Sequence, residues 1–215
     1  MDGGFAVYTD ADGERLLREH FEVESRAIAG GWEDSWREFH RGVAVGRFWV
    51  GPPWVEATAG AEAIVIDPGR AFGTGAHATT RLTLELLQEL RPASLLDVGC
   101  GSGVLAIAAV KLGFAPVIGI DNDETAVEVT LANAQVNDVQ VDSRHVDALR
   151  DELPETEVAV ANVALDVVEQ LLPRLRARQL VASGYLERDE PQLQGWRRID
   201  RRIADGWAAD LLERG

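Results

Sequence analysis

Apolar and polar positions divide the chain into short apolar runs and longer amphipathic stretches. Leu95-Leu96-Asp97-Val98 is apolar at nearly every position, as in a strand buried on both faces; a glycine-rich bend and an apolar helix running to Gly113 follow. Val117-Ile118-Gly119-Ile120 repeats the strand signal, and a helix is predicted from about Asp123 to Val136 with Val127, Leu131 and Ala134 on one face. A third strand ends near His145-Val146-Asp147-Ala148, and Val158-Ala159-Val160-Ala161 is a fourth. A helix carrying Leu165, Val168, Leu172 and Leu175 comes next, interrupted at Pro173. Leu180 to Leu186 is a fifth strand, and Asp205-Gly206 predicts a hairpin turn between Arg198 to Ala204 and Trp207 to Leu212. This alternation predicts an α/β fold, a parallel sheet with helices on both faces, finished by an antiparallel pair.

Upstream, Phe5 to Tyr8 and Val23 to Ile28 read as strands around a helix from Glu14 to Phe21. A β-α-β piece of this size cannot bury a core alone and must pack on the main domain, a second copy or a partner. Trp32, Trp36 and Phe39 form an aromatic stripe on a helix, suited either to stapling that piece to the main domain or to binding. Arg47 to Val50 and Ala63 to Ile66 are further strands. The expected organisation is residues 1–31 as a partial N-terminal domain, 32–60 as connecting helix and strand, and 61–215 as the main domain.

Composition narrows the class. Of 215 residues 46% are hydrophobic, enough for a proper core, and the net charge of −15 argues against a phosphate-backbone binder. A single cysteine, Cys100, excludes an intrachain disulfide and suits a reducing compartment. His20, His40, His77 and His145 show no ligand spacing, so no metal is expected. The first residues lack the basic and apolar regions of a leader, and no apolar run approaches the ~20 residues that span a bilayer. A cytoplasmic protein without a nucleic-acid or membrane partner, monomeric or weakly dimeric, is the expectation.

The chemistry centres on the bend. Gly99, Gly101 and Gly103 remove side chains that would hold a ligand away from the backbone at a helix start. Asp121, about 20 residues on at the next strand's end, suits the vicinal hydroxyls of a ribose. A dinucleotide fingerprint requires a third glycine where Val104 stands, and Asp97 would repel a pyrophosphate. The sulfonium and α-ammonium of S-adenosylmethionine instead welcome a carboxylate, so this cofactor is expected and a nicotinamide one is not. Asp147 is placed either to accept the adenine amine or to cap a helix. Asn162, at the end of the fourth strand, is placed to face the cofactor's methyl. Asp67 to Thr80 carries three glycines and Phe72, and reads as a loop folding over a neighbouring site, entering a helix that runs through Leu90. Thr79 and Thr80 stand where side-chain oxygens cap a helix or meet a ligand. His77 is a candidate base or a loop-stabilising hydrogen-bond partner.

Three segments carry a resemblance to a known family. LLDVGCGSGVLAIAA, GIDND and, most distinctively, IDPGRAFGTGAHATTRL resemble the methyltransferases of ribosomal protein L-eleven, the PrmA family. ANV at Ala161 to Val163 and SGYL at Ser183 to Leu186 are similar to later motifs of that family. The resemblance implies a seven-stranded class I methyltransferase sheet, parallel except for its C-terminal hairpin strand. It also implies cofactor contacts from Thr80, Gly99, Asp121 and Asn162, and a covering role for Phe72 to His77, Thr74 included. The acceptors implied are the α-amine and lysine ε-amines of a ribosomal protein. The family's ferredoxin-like N-terminal domain, which docks that protein, is fuller than residues 2 to 30 here. Other readings are methylation of a different protein or a small amine, and a non-catalytic cofactor-binding scaffold.

Overall fold

In a computed structural model of the chain the described residues are 42–67 and 75–215, all within the second of its two contact units, His40–Gly215. The expected strands and helices before residue 42, with Trp32, Trp36 and Phe39, lie outside the described residues, as do Phe72 and Thr74.

The main sheet has seven strands: β4 (Leu95–Val98), β5 (Val117–Asp121), β6 (Asp142–His145), β7 (Val158–Asn162), β8 (Gln179–Leu186), β9 (Trp196–Ala204) and β10 (Trp207–Arg214). Their order across the sheet is β6-β5-β4-β7-β8-β10-β9. Strands β4 to β8 pair in parallel, and β10 runs antiparallel to both of its neighbours. The order reverses at β4, so the C-terminal ends of β4, β5 and β7 border the crevice where ligands bind in open α/β sheets. Every residue of β4 is buried, which explains its unbroken apolar run; the edge strand β6 is polar and largely exposed.

Helices α1 (Ala78–Leu87), α2 (Val104–Lys111) and α3 (Glu124–Val136) cover one face of the sheet, and α4 (Leu165–Leu171) covers the other. The first face also receives a small second sheet of β1 (Val43–Val45), β2 (Phe48–Gly51) and β3 (Glu62–Val65), whose Phe48, Val50 and Ile64 enter the same core. No described helix is long and apolar enough to cross a membrane.

Two expectations about helices, one of a face and one of an end, are corrected. Leu131 is 45% exposed, and the buried stripe of α3 is Ala126, Val127, Thr130, Asn133 and Ala134. The helix is rotated from its apolar reading because polar residues on it bond to the glycine bend. Helix α1 stops at Leu87 and not at Leu90, with Gln88 as its C-cap. The Gln88 amide bonds to Val45 O and Leu84 O, and its Oε1 accepts from Arg47 N.

Candidate cofactor and active site

The site is built from the ends of three parallel strands. Chain leaving β4 turns through Gly99, Gly101 and Gly103, all with positive φ (71°, 53° and 81°), before entering α2. Side chains there would be strained, and a Cβ at Gly99 would lie 2.7 Å from Val163 Cγ1. Gly103 is the N-cap of α2 and offers no capping side chain. That role falls to Asp97, whose Oδ2 accepts from Ala106 N at 3.1 Å. Asp97 is 1% exposed, so it lies beneath the bend and not on its surface.

Its other oxygen, Oδ1, is buried without a hydrogen-bond partner. Burial, opposed by the Ala106 bond and reinforced by the negative charge of Asp121, pushes the Asp97 carboxyl from 3.8 up to about 7. A buried carboxylate held so high gains when a cation arrives nearby.

Asp121 ends β5. Its Oδ2 accepts from Gly101 N at 3.0 Å and its Oδ1 from Asp123 N at 3.0 Å, which ties the end of β5 to the bend and leaves the carboxylate partly exposed. Lone pairs remain on both oxygens for a diol. Asp147 follows β6, and the two strand ends are joined by Val146 N donating to Asp121 O. The Asp147 Oδ1 accepts from Leu149 N at 2.9 Å, and Arg150 Nε lies 3.3 Å from its Oδ2. The residues after Asp147 form a turn and not a helix, so the side chain closes that turn and the expected helix cap is corrected.

Asn162 ends β7 on the α1 face, and its Nδ2 reaches Thr80 Oγ1 at 3.4 Å. Thr80 is 2% exposed in the first turn of α1. The amide meets Thr80 through its nitrogen, so Oδ1 is the atom not used in that bond. The neighbouring backbone is shaped by a bulge: Ala208 pairs with Tyr185 and Ala209 with Ser183, leaving Gly184 as the extra residue at φ 103°. A Cβ on Gly184 would sit 2.1 Å from Val163 O, so only glycine lets that carbonyl approach β8.

His77 caps α1. Its Nδ1 lies 2.8 Å from Thr79 Oγ1 and accepts from Thr79 N at 3.4 Å, and its ring stands edge-on to Trp207 at 4.8 Å. The histidine is therefore the cap, not Thr79 or Thr80. Cys100 is buried, and burial with the nearby Asp97 charge pushes its thiol up to about 12, which leaves it unreactive. Among the described residues no His, Cys, Asp and Glu group could hold a metal ion.

The family model described as "Ribosomal protein L11 methyltransferase (PrmA)" matches residues 7–195, most of the chain. The chain belongs to this family. A curated PrmA relative, the ribosomal protein L11 methyltransferase of Caldanaerobacter subterraneus subsp. tengcongensis, is 41% identical over 167 residues, covering 73% of this chain and 54% of the relative. The chain spans about half to two thirds of the length of such curated relatives. A crystal structure of the L11 methylase of Lactobacillus delbrueckii subsp. bulgaricus superposes with a TM-score of 0.73 at 26% identity, covering 80% of this chain and 98% of that one. The 16S rRNA methyltransferase RmtF, solved with S-adenosyl-L-homocysteine, shares the fold at a TM-score of 0.50 and 20% identity, covering 66% of each chain.

Within this PrmA-family chain the sequence motifs brought together Asp97, the three glycines, Asp121, Asn162 and Thr80. Sequence reasoning missed Thr130, Asn133 and Asn137, which join α3 to the bend and to β3. Their signal was present as polar residues three and four apart on a helix.

Proposed function

We propose that the chain binds S-adenosylmethionine across the Gly99–Gly103 bend and transfers its methyl to amines, the α-amine and lysine ε-amines of ribosomal protein L11. One observation carries the reading. The glycine bend over Asp97, the Asp121 carboxylate and the Asn162–Thr80 pair all stand at one end of the sheet, on the strands flanking its reversal point. Asp97 Oδ1, buried without a protein partner, fits a positively charged ligand held just above the bend. The glycines give the bend its positive-φ turn, packed on Val163 and Thr130 where Cβ atoms would not fit, and Asp121 has lone pairs for ribose hydroxyls. Asp147 stands for the adenine amine, Gly99, Gly101 and Gly103 for backbone approach, and Phe72 and Thr74 for a loop covering the site.

When bound, the cofactor supplies an electrophilic methyl on a sulfonium. The chain's own task is to present a neutral amine. At pH 7 a lysine amine of pKa ~10.4 costs about 4.6 kcal/mol to deprotonate, and an α-amine near ~8 costs about 1 kcal/mol. Removing the amine from water lowers that cost by disfavouring its charged form. Asn162 Oδ1, not engaged by Thr80, accepts an amine hydrogen and turns the lone pair toward the methyl; the Val163 carbonyl beside it offers a second acceptor. An amide suits this position because a carboxylate would hold the ammonium form. Positioning of this kind supplies most of the acceleration in an in-line displacement. A protein partner and a cytoplasmic enzyme, monomeric or weakly dimeric, belong to the same reading.

The test is label transfer from S-adenosylmethionine to purified ribosomal protein L11, with Asn162→Ala in parallel. Wild-type transfer to amines is expected, with kcat falling about 10²- to 10³-fold in the variant while cofactor affinity changes little. Unchanged turnover in Asn162→Ala removes the assigned role, and absence of wild-type transfer to any amine removes the reading.

A further inference from the structure

The buried stripe of α3 carries three polar side chains, Thr130, Asn133 and, at the C-cap, Asn137, exposed by 0%, 2% and 9%. Polar groups on a packing face are costly unless bonded, so their partners reveal what the face is for. Thr130 Oγ1 donates to Gly101 O at 3.0 Å, and its side chain packs over Gly103, where a Cβ would lie 3.0 Å from Thr130 Cγ2. Asn133 Nδ2 donates to Ser102 O at 2.8 Å, while its Oδ1 accepts from Asp67 N at 3.2 Å. Asn137 closes the set, accepting from Val65 N at 2.8 Å and donating to Val65 O at 2.6 Å. One helix face thus grips two consecutive carbonyls of the bend and the backbone at the end of β3.

In a trans peptide the carbonyl and the following N–H point in opposite directions. Holding Gly101 O and Ser102 O toward α3 therefore turns the N–H groups of the same two peptides, those of Ser102 and Gly103, away from α3. The Gly103 N–H closes the bend on Cys100 O at 2.7 Å. The bend has no side chains of its own at its three glycines to fix these peptide planes, and glycine peptides reorient readily. We propose that Thr130 and Asn133 are positioning residues for the cofactor: they lock the peptide planes of the Gly99–Gly103 bend in the orientation that receives it, and Asn133 sets the departure of the chain from β3 in register with the bend.

The inference rests on the cofactor site proposed above, and the experiment separates the two. Calorimetric titration of the full chain with S-adenosyl-L-homocysteine is run on wild type, Thr130→Val, Thr130→Ser and Asn133→Asp, each checked for cooperative unfolding, with amide exchange read at Ser102 and Gly103. Thr130→Val keeps the shape and removes only the donor; it is expected to weaken binding about tenfold and to speed exchange at both amides. Thr130→Ser restores the hydroxyl and is expected within about twofold of wild type. Asn133→Asp loses the donor to Ser102 O and is expected to weaken binding at least as much. Binding by folded Thr130→Val at the wild-type level, or a loss not rescued by serine, overturns the inference alone. A wild-type chain that binds no S-adenosyl-L-homocysteine overturns the site reading and this inference with it.

Discussion

Replacing Asp97 by asparagine separates the stability of the empty protein from its affinity for a cation. In the wild type Oδ2 caps α2 through Ala106 N, and Oδ1 has no protein partner. The folded carboxyl titrates at about 7 against 3.8 when ordinary. Because the folded value is raised, the native state holds a proton that the unfolded chain has already lost between those two values. Stability is therefore full below about pH 4 and falls as pH rises toward 7. A gap of about three pH units at ~1.36 kcal/mol per unit gives about 4 kcal/mol in all, most of it falling between pH 5 and pH 8. The amide introduced by Asp97→Asn would keep the cap to Ala106 and carry no titration, so urea unfolding of this variant is expected to lack that slope.

Cofactor affinity moves the other way. A cation held above the bend would gain on the order of 2 kcal/mol from the ionised carboxylate at an effective dielectric constant of ~20. S-Adenosylmethionine carries a net positive charge through its sulfonium, whereas the demethylated product is a neutral zwitterion. Asp97→Asn should weaken S-adenosylmethionine binding about 10- to 30-fold and the product less than about threefold, read by calorimetry at about pH 8. A variant with the wild-type stability slope, or with equal losses for both ligands, refutes the placement of a lone charge beneath the bend.

Two further outcomes follow from the same geometry. His77→Asn keeps an acceptor at the N-cap and should leave both melting temperature and methyl transfer near wild type, while His77→Ala should cost about 1 kcal/mol of stability; a loss of kcat of about 100-fold in the asparagine variant would instead make His77 a base. Gly99→Ala combines a φ of 71° with a Cβ 2.7 Å from Val163 Cγ1, and should lower stability by about 1 to 3 kcal/mol with loss of cofactor binding, measured by thermal melts with and without S-adenosyl-L-homocysteine.

Short-range signals in the sequence determined the elements and the chemistry of the bend. The apolar run at Leu95 to Val98 marks a central strand because a strand covered on both faces excludes polar side chains except those with a buried task, and Asp97 is that exception. Asp205-Gly206 set the hairpin, since its positive φ at both positions matches the strand twist. The three glycines and Asp121 were readable because a turn with positive φ at three positions demands glycine, and the end of the next strand supplies the acceptor that holds it through Gly101 N. Pairing across long separations was decided only in three dimensions. That Asn162 meets Thr80, 82 positions away, follows from α1 lying over β7 and β8, a packing no local pattern encodes. The face of α3 was misread for the same reason. A count of apolar residues selects Leu131, but the tertiary fold buries Thr130 and Asn133 because the glycine bend presents carbonyls there, and a buried carbonyl requires a donor.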